Sequence, residues 1–213
     1  MKRHAERIAA GVRHLRRADP VMKDLIRRCP PLTDLRMQPN RFGILVHSIL
    51  SQQISVHAAR SIRARLTEQV GPGGLTPENV AALDLEMLRS IGISRQKAAY
   101  LLDLAEKARD GVLRLDAMGR WKDDRVIEEL IQVKGIGVWT AQMFLIFSLG
   151  RLDVFPHEDY GVRAAIRRLY GLEELPDKAT CLEVGGPWRP WATIASWYCW
   201  RSLELERKSG GGV

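Results

Sequence analysis

Apolar residues recur at helical spacing through most of the 213-residue chain, and no alternating apolar–polar run of useful length interrupts them, which predicts an all-α protein. Residues 3–17 form a basic helical segment bearing Arg3, Arg7, Arg13, Arg16 and Arg17. Asp19-Pro20 opens a short second helix that Cys29-Pro30-Pro31 ends. Asn40 starts a third, with Phe42, Leu45, Val46, Ile49 and Leu50 at core spacing, and its stripe stops at the polar run Ser51-Gln52-Gln53-Ile54-Ser55. Ser55 caps the next helix, to Val70, and Gly71-Pro72-Gly73-Gly74 breaks the pattern. Thr76-Pro77-Glu78 and Asp84-Leu85-Glu86 read as two more helix starts. Ile91-Gly92-Ile93-Ser94 turns tightly into a helix over 95–110, and Trp121 precedes another over 123–131. Residues 171–186 are less regular, and Pro187-Trp188-Arg189-Pro190 leads into a final helix from 191 to about 207. The glycine-rich residues 209–213 read as a disordered tail.

One segment departs from the amphipathic rule. Residues 130–141 hold a tight Gly135-Ile136-Gly137 turn followed at once by a helix that is apolar on nearly every face (Val138, Ala141, Met143, Phe144, Leu145, Ile146, Phe147, Leu149), which places it in a core. Two glycines let the backbone come close to a partner. The first amides of the helix lack intrahelical acceptors and carry the positive end of its dipole, so the turn suits a phosphate. Phe155-Pro156-His157-Glu158-Asp159-Tyr160 breaks the pattern again before helical spacing resumes over 161–170. Taken alone, Asp159 is a helix cap. Following a glycine hairpin in a basic protein, it is also a candidate for chemistry.

Charge narrows the partner. The net charge of +8 favours an anionic one, nucleic acid before acidic membrane surface. No stretch is long and apolar enough to span a bilayer, and no secretory signal is apparent at the start. Three scattered cysteines (Cys29, Cys181, Cys199) make no disulfide framework and fit a reducing cytosol. They also cannot supply four thiolates to an iron–sulfur cluster, and no His/Cys set has metal-ligand spacing, so neither cofactor nor catalytic metal is expected.

Three motifs in order carry a resemblance: Ser48-Ile49-Leu50-Ser51-Gln52-Gln53-Ile54-Ser55; Leu130 through Ala141 as Leu-x-x-x-x-Gly-Ile-Gly-x-x-Thr-Ala, followed by Val154-Phe155-Pro156-x-x-Asp159; and Pro190-Trp191 with Ile194-Ala195-Ser196-Trp197-Tyr198. Over residues 35–205 the chain resembles the helix-hairpin-helix (HhH-GPD) DNA glycosylases, most closely their 3-methyladenine DNA glycosylase II, or alkylbase DNA glycosylase, branch. The resemblance implies two helical lobes with an active-site cleft between them. One covers about 40–150 with the hairpin at 130–141, and the other is built from 1–39 and 151–208. Some relatives carry an N-terminal β-rich domain, for which the chain ahead of Asn40 is too short. The endonuclease III branch carries an iron–sulfur cluster whose cysteines this chain lacks.

The resemblance maps the family's catalytic aspartate onto Asp159, with Glu158 a bystander. It places Trp139 and Trp197 along the base pocket, and Met143 where a relative has a pocket tyrosine. It makes Gln53 the wedge that fills the gap left by an extruded base, in a loop shared with Gln52; some relatives have leucine at this position, and a glutamine plugs by hydrogen bonding and shape. Backbone amides around Gly135, Gly137 and Trp139, with Lys134 and Thr140, would hold phosphates. Carbonyls of Ile131, Val133 and Ile136 would hold a monovalent cation. Bifunctional relatives carry a lysine two residues after the second glycine; Trp139 stands there and cannot form an imine.

These expectations converge on a monofunctional, monomeric glycosylase that releases alkylated bases such as 3-methyladenine and 7-methylguanine from double-stranded DNA, in the cytoplasm near the nucleoid if the cell is bacterial. Aromatic faces attract such cationic purines, and a damaged pair is cheaper to open. Two alternatives use the same features: a non-catalytic, structure-selective DNA-binding module, and a mismatch or oxidised-base glycosylase on the same fold.

Overall fold

Helix boundaries in this protein are set mainly by short polar side chains that accept the first free amides of each helix. In the computed structural model, which describes residues 2–33, 35 and 37–209, twelve α-helices and no strands form among the described residues. They are α1 (Lys2–Ala18), α2 (Pro20–Arg28), α3 (Arg41–Ser51), α4 (Val56–Val70), α5 (Pro77–Ala81), α6 (Leu85–Ser90), α7 (Arg95–Arg109), α8 (Asp123–Leu130), α9 (Val138–Phe147), α10 (Tyr160–Leu169), α11 (Lys178–Gly185) and α12 (Ala192–Ser209). Asp19, Asn40, Ser55, Thr76, Asp84, Ser94, Asp159 and Asp177 each accept an amide two or three residues on. The all-α reading holds. The final helix runs on to Ser209, the first residue of the expected tail, and the rest of that tail lies outside the described residues.

The chain divides into two compact units, Met37–Leu149 and Met1–Arg36 with Gly150–Val213. In the first, α7 is central: α3, α5 and α6 all pack on it, and α9 packs on α3 and α8. Its core includes Leu45, Val46, Ile49, Leu50, Leu101, Leu104, Phe144 and Leu145, each at most 1% exposed. Burying one such aliphatic side chain contributes about 1.5–3 kcal/mol. The fully apolar α9 is not buried along its whole length. Thr140, Ala141, Phe144, Leu145 and Ile146 are interior, but Val138 and Trp139 are 44% and 42% exposed. Composition alone points to a core helix. The first turn instead reaches solvent because it emerges directly from the glycine turn.

The second unit packs α12 against α1, α2 and α10. Its centre is polar. Asp19 is 5% exposed and serves four donors: the amides of Val21 and Met22, the Trp188 indole N–H at 2.9 Å, and the Tyr170 hydroxyl. Tyr170 is the C-cap of α10, so one carboxylate joins the start of α2 to the end of α10 and to the buried Trp188. A buried carboxylate is tolerable only when its lone pairs are filled in this way.

Removing that carboxylate strands four donors at once. Asp19→Ala is expected to lower the unfolding free energy by at least about 3 kcal/mol in urea titration, and a change under about 1 kcal/mol would show the hub to be dispensable. Tyr170 gives a pH signature. Burial first, then the bond to Asp19, hold its hydroxyl far above the ordinary value of 10.0. The folded chain therefore keeps this proton more tightly than the unfolded chain, so its contribution is complete below about pH 10 and is lost as pH rises further. The stability gap between wild type and Tyr170→Phe should narrow from about pH 9 to about pH 11; a constant gap would contradict this.

Candidate functional site

The approach to Asp159 is rigid. Phe155 and Pro156 are buried, with Phe155 set edge-on to Trp188 at 5.2 Å, and the Val154 amide donates to Thr193 Oγ1 at 2.9 Å. A tight turn follows, the His157 amide donating to the Phe155 carbonyl and the Asp159 amide to that of Pro156, each at 2.9 Å. The chain then enters α10 with Asp159 as N-cap. Its Oδ1 accepts the Val162 amide at 2.8 Å and the Trp200 indole N–H at 2.8 Å. Two donors from two different helices fix the plane of the carboxylate. Gly161 makes the second approach possible: a Cβ there would lie 3.1 Å from both Trp200 Cδ1 and Asp159 Oδ1. Glu158, one residue away, is exposed.

Trp200 is a functional candidate that the sequence alone does not disclose. Nothing local marks it. Trp191, Trp197 and Trp200 all lie at or near α12, and only the fold shows which indole reaches Asp159. Trp197, the expected pocket residue, is half-buried; its ring meets Tyr198 edge-on at 5.0 Å, and the Arg201 guanidinium lies 4.9 Å from its centroid. The neighbouring Cys199 is buried, and desolvation followed by the charges of Asp19 and Asp159 holds its thiol far above its ordinary value, so it is no nucleophile.

The hairpin belongs to the other unit. It runs from the end of α8 through Val133 and Ile136, both buried, with the Ile136 amide donating to the Val133 carbonyl at 3.0 Å. Gly135 has a φ of +78°, and a Cβ there would stand 2.1 Å from Tyr100 Cδ2. Glycine is required twice over, by conformation and by contact. Gly137 is the cap residue of α9 and has no side chain to accept the amides of the first turn, unlike the Asp and Ser caps elsewhere. The Lys134 side chain is 72% exposed with its Nζ 3.8 Å from Asp103 Oδ1, and its backbone amide donates to Asp103 Oδ2 at 2.9 Å. Asp103 also receives Lys107 Nζ at 2.6 Å. Partial burial alone would raise its carboxyl, yet the bonds from Lys107 and the Lys134 amide hold it below the ordinary carboxylate value. Asp103 is thus a second residue that the sequence did not disclose.

Of the remaining candidates, Trp139 presents an exposed face on the first turn of α9, Met143 is half-buried, and Thr140 is only 4% exposed. Gln53 has a φ of +53°, the left-handed region that non-glycine residues seldom enter. Gln52 turns its amide inward and donates to the Gly135 carbonyl at 2.8 Å. Gln53, Ile54, Gln96, Lys97, Tyr100 and Gly135 line a cavity of about 450 Å³ at the root of this loop. Among the described residues, no three His, Cys, Asp or Glu side chains are grouped to hold a metal ion, and the three cysteines are buried and unbridged.

Residues 46–190 match the family described as the HhH-GPD superfamily of base excision DNA repair proteins. The chain is similar to DNA-3-methyladenine glycosylase 1 of Schizosaccharomyces pombe, with 36% identity over 163 residues, 76% of this chain and 72% of that protein. It is also similar to a putative DNA-3-methyladenine glycosylase of Bacillus subtilis, with 33% identity over 81% of this chain, although it spans only 62% of that relative's length. The structure of the Schizosaccharomyces pombe 3-methyladenine DNA glycosylase in complex with abasic DNA superposes with a TM-score of 0.81 at 32% identity, covering 92% of this chain and 97% of that one. The chain therefore belongs to the HhH-GPD superfamily of base excision DNA repair proteins, in its 3-methyladenine DNA glycosylase branch.

Proposed function

We propose that this protein is a monofunctional DNA glycosylase that releases alkylated bases, of the 3-methyladenine and 7-methylguanine type, from double-stranded DNA in base excision repair. The observation that carries the reading is the Asp159 carboxylate, pinned by the Val162 amide and the Trp200 indole at the head of α10. Breaking an N-glycosidic bond sends the bonding electrons out with the base and leaves positive charge on the deoxyribose. A carboxylate fixed beforehand stabilises that oxocarbenium-like state without reorganising, and it can orient or deprotonate the incoming water. A non-catalytic hairpin module would need the cap on α10 but not the second donor from Trp200. The printed names of the relatives, DNA-3-methyladenine glycosylases, support the alkylated-base class, and the abasic DNA bound to one of them supports duplex DNA as the partner.

The hairpin amides of Gly135, Gly137 and Trp139, with Lys134, would hold phosphates of the damaged strand without reading sequence. A monovalent cation on the carbonyls of Ile131, Val133 and Ile136 would add positive charge there. Neutral carbonyl oxygens suit an alkali ion, and the Val133 oxygen, which accepts the Ile136 amide, keeps a second lone pair for it. The exposed indole of Trp139, together with Trp197 and Met143, would receive the extruded cationic base by stacking. Gln53 would occupy the gap it leaves, on a loop that Gln52 ties back to the hairpin. Because Trp139 stands where a Schiff-base lysine would be needed, water is the nucleophile and the strand is left unbroken. The protein acts as a monomer on the chromosome, in the bacterial cytoplasm at the nucleoid if the cell is bacterial; no helix among the described residues is long and apolar enough to cross a membrane.

Two substitutions test the mechanism on a duplex carrying 7-methylguanine. Asp159→Asn preserves the shape and should slow single-turnover base release by at least about 100-fold while leaving affinity for abasic duplex intact; retained release would remove Asp159 from the chemistry. Trp200→Phe keeps an aromatic ring but removes the indole donor, and should lower kcat by about tenfold with KM within about twofold. In both variants and in wild type, strand breaks should appear only after alkali treatment.

A further inference from the structure

A glutamine loop that enters a stacked duplex has to be held stiff. Helix α3 ends at Ser51 without a glycine to turn the chain; its C-cap, Gln52, is extended and Gln53 takes the left-handed conformation itself. The last carbonyls of a helix then need outside donors. Lys97, one turn into α7, provides them: its Nζ donates to the Leu50 carbonyl at 2.8 Å and to the Gln52 carbonyl at 2.6 Å. Its ammonium also sits at the negative end of the α3 dipole. Burial lowers its pKa, as expected of an amine drawn out of water to hold backbone.

The same face of α7 reaches the hairpin. Residues three apart on a helix are neighbours on its surface, and Lys97, Tyr100 and Asp103 form such a chain along α7. Lys97 holds the Gln52-Gln53 loop, the Tyr100 ring lies against Gly135, and Asp103 accepts the Lys134 amide. Gln52 closes the triangle by donating to the Gly135 carbonyl at 2.8 Å. Loop and hairpin are therefore tied both to a common support and to each other.

We propose that Lys97 and Gln52 are positioning residues, a brace that locks the Gln53 loop to the glycine hairpin so that gripping the damaged strand and opening the base pair occur as one step. Gln52 on this view works from behind the loop, with Gln53 alone entering the helix stack. The proposal rests on the glycosylase reading. It requires that the brace matter only when a paired base has to be extruded, since neither residue acts on the sugar.

The test uses the full chain and two 7-methylguanine substrates, one fully paired and one with the lesion in an unpaired bulge. Lys97→Met and Gln52→Leu should each slow single-turnover release from the paired substrate by about tenfold or more, with release from the bulge within about threefold of wild type. Lys97→Arg, which can still donate to two carbonyls, should recover most of the loss. Fluorescence of a 2-aminopurine beside the lesion should show the deficit at base unstacking. Gln52→Leu removes a single hydrogen bond near the surface, so it carries the same test if Lys97→Met does not fold. Equal slowing on both substrates, or none on the paired one, would overturn the brace. Failure of wild type to release the base from either substrate would instead overturn the glycosylase reading.

Discussion

A carboxylate that is to stabilise a short-lived positive charge must already point at it, and if Asp159 has the proposed role, that requirement falls on helix α10. The helix is gripped by an aspartate at each end. At its head, Asp159 is both the cap that starts the helix and the group held by Trp200 of α12. At its foot, Tyr170 gives its hydroxyl hydrogen to Asp19, which also anchors α2 and Trp188. Swinging the Asp159 carboxylate would give up the Val162 and Trp200 bonds, and the helix that carries it is itself anchored at its other end through Tyr170 and Asp19. Electrostatic preorganisation is inexpensive at the moment of reaction because folding has already oriented these groups.

The other unit solves a different problem with similar means. Its hairpin and its glutamine loop are short irregular segments, which ordinarily would be mobile. Here each rests on side chains from α7, and α7 is itself the helix on which α3, α5 and α6 pack. Polar groups that look like surface decoration in the sequence are spent on backbone carbonyls and amides.

That difference explains which features could be read in advance. Helix starts at Asp19, Asn40, Ser55, Thr76, Asp84 and Ser94 were legible because a cap acts over three residues. The all-α class followed from a periodicity repeated many times over. The glycine turn and the aspartate after Phe155-Pro156 were legible as motifs. Trp200 was not, because its partner lies 41 positions away and three tryptophans compete for the role. Asp103 and Lys97 were equally silent, since an exposed-looking Asp or Lys on a helix usually is just that. The open first turn of α9 was concealed by composition: a helix of uniform hydrophobicity gives no hint that one end leaves the core.

The indole on that open turn has a consequence for what happens after the base departs. On the proposed reading, with water in place of an amine, the sugar is left as a cyclic hemiacetal, in equilibrium with a little open-chain aldehyde, in a phosphodiester chain that is still continuous. Such a lesion carries no coding information yet does not break the chromosome. Cutting beside it, trimming the sugar and refilling the gap must then fall to separate catalysts, so repair proceeds as a relay in which this protein runs only the first leg.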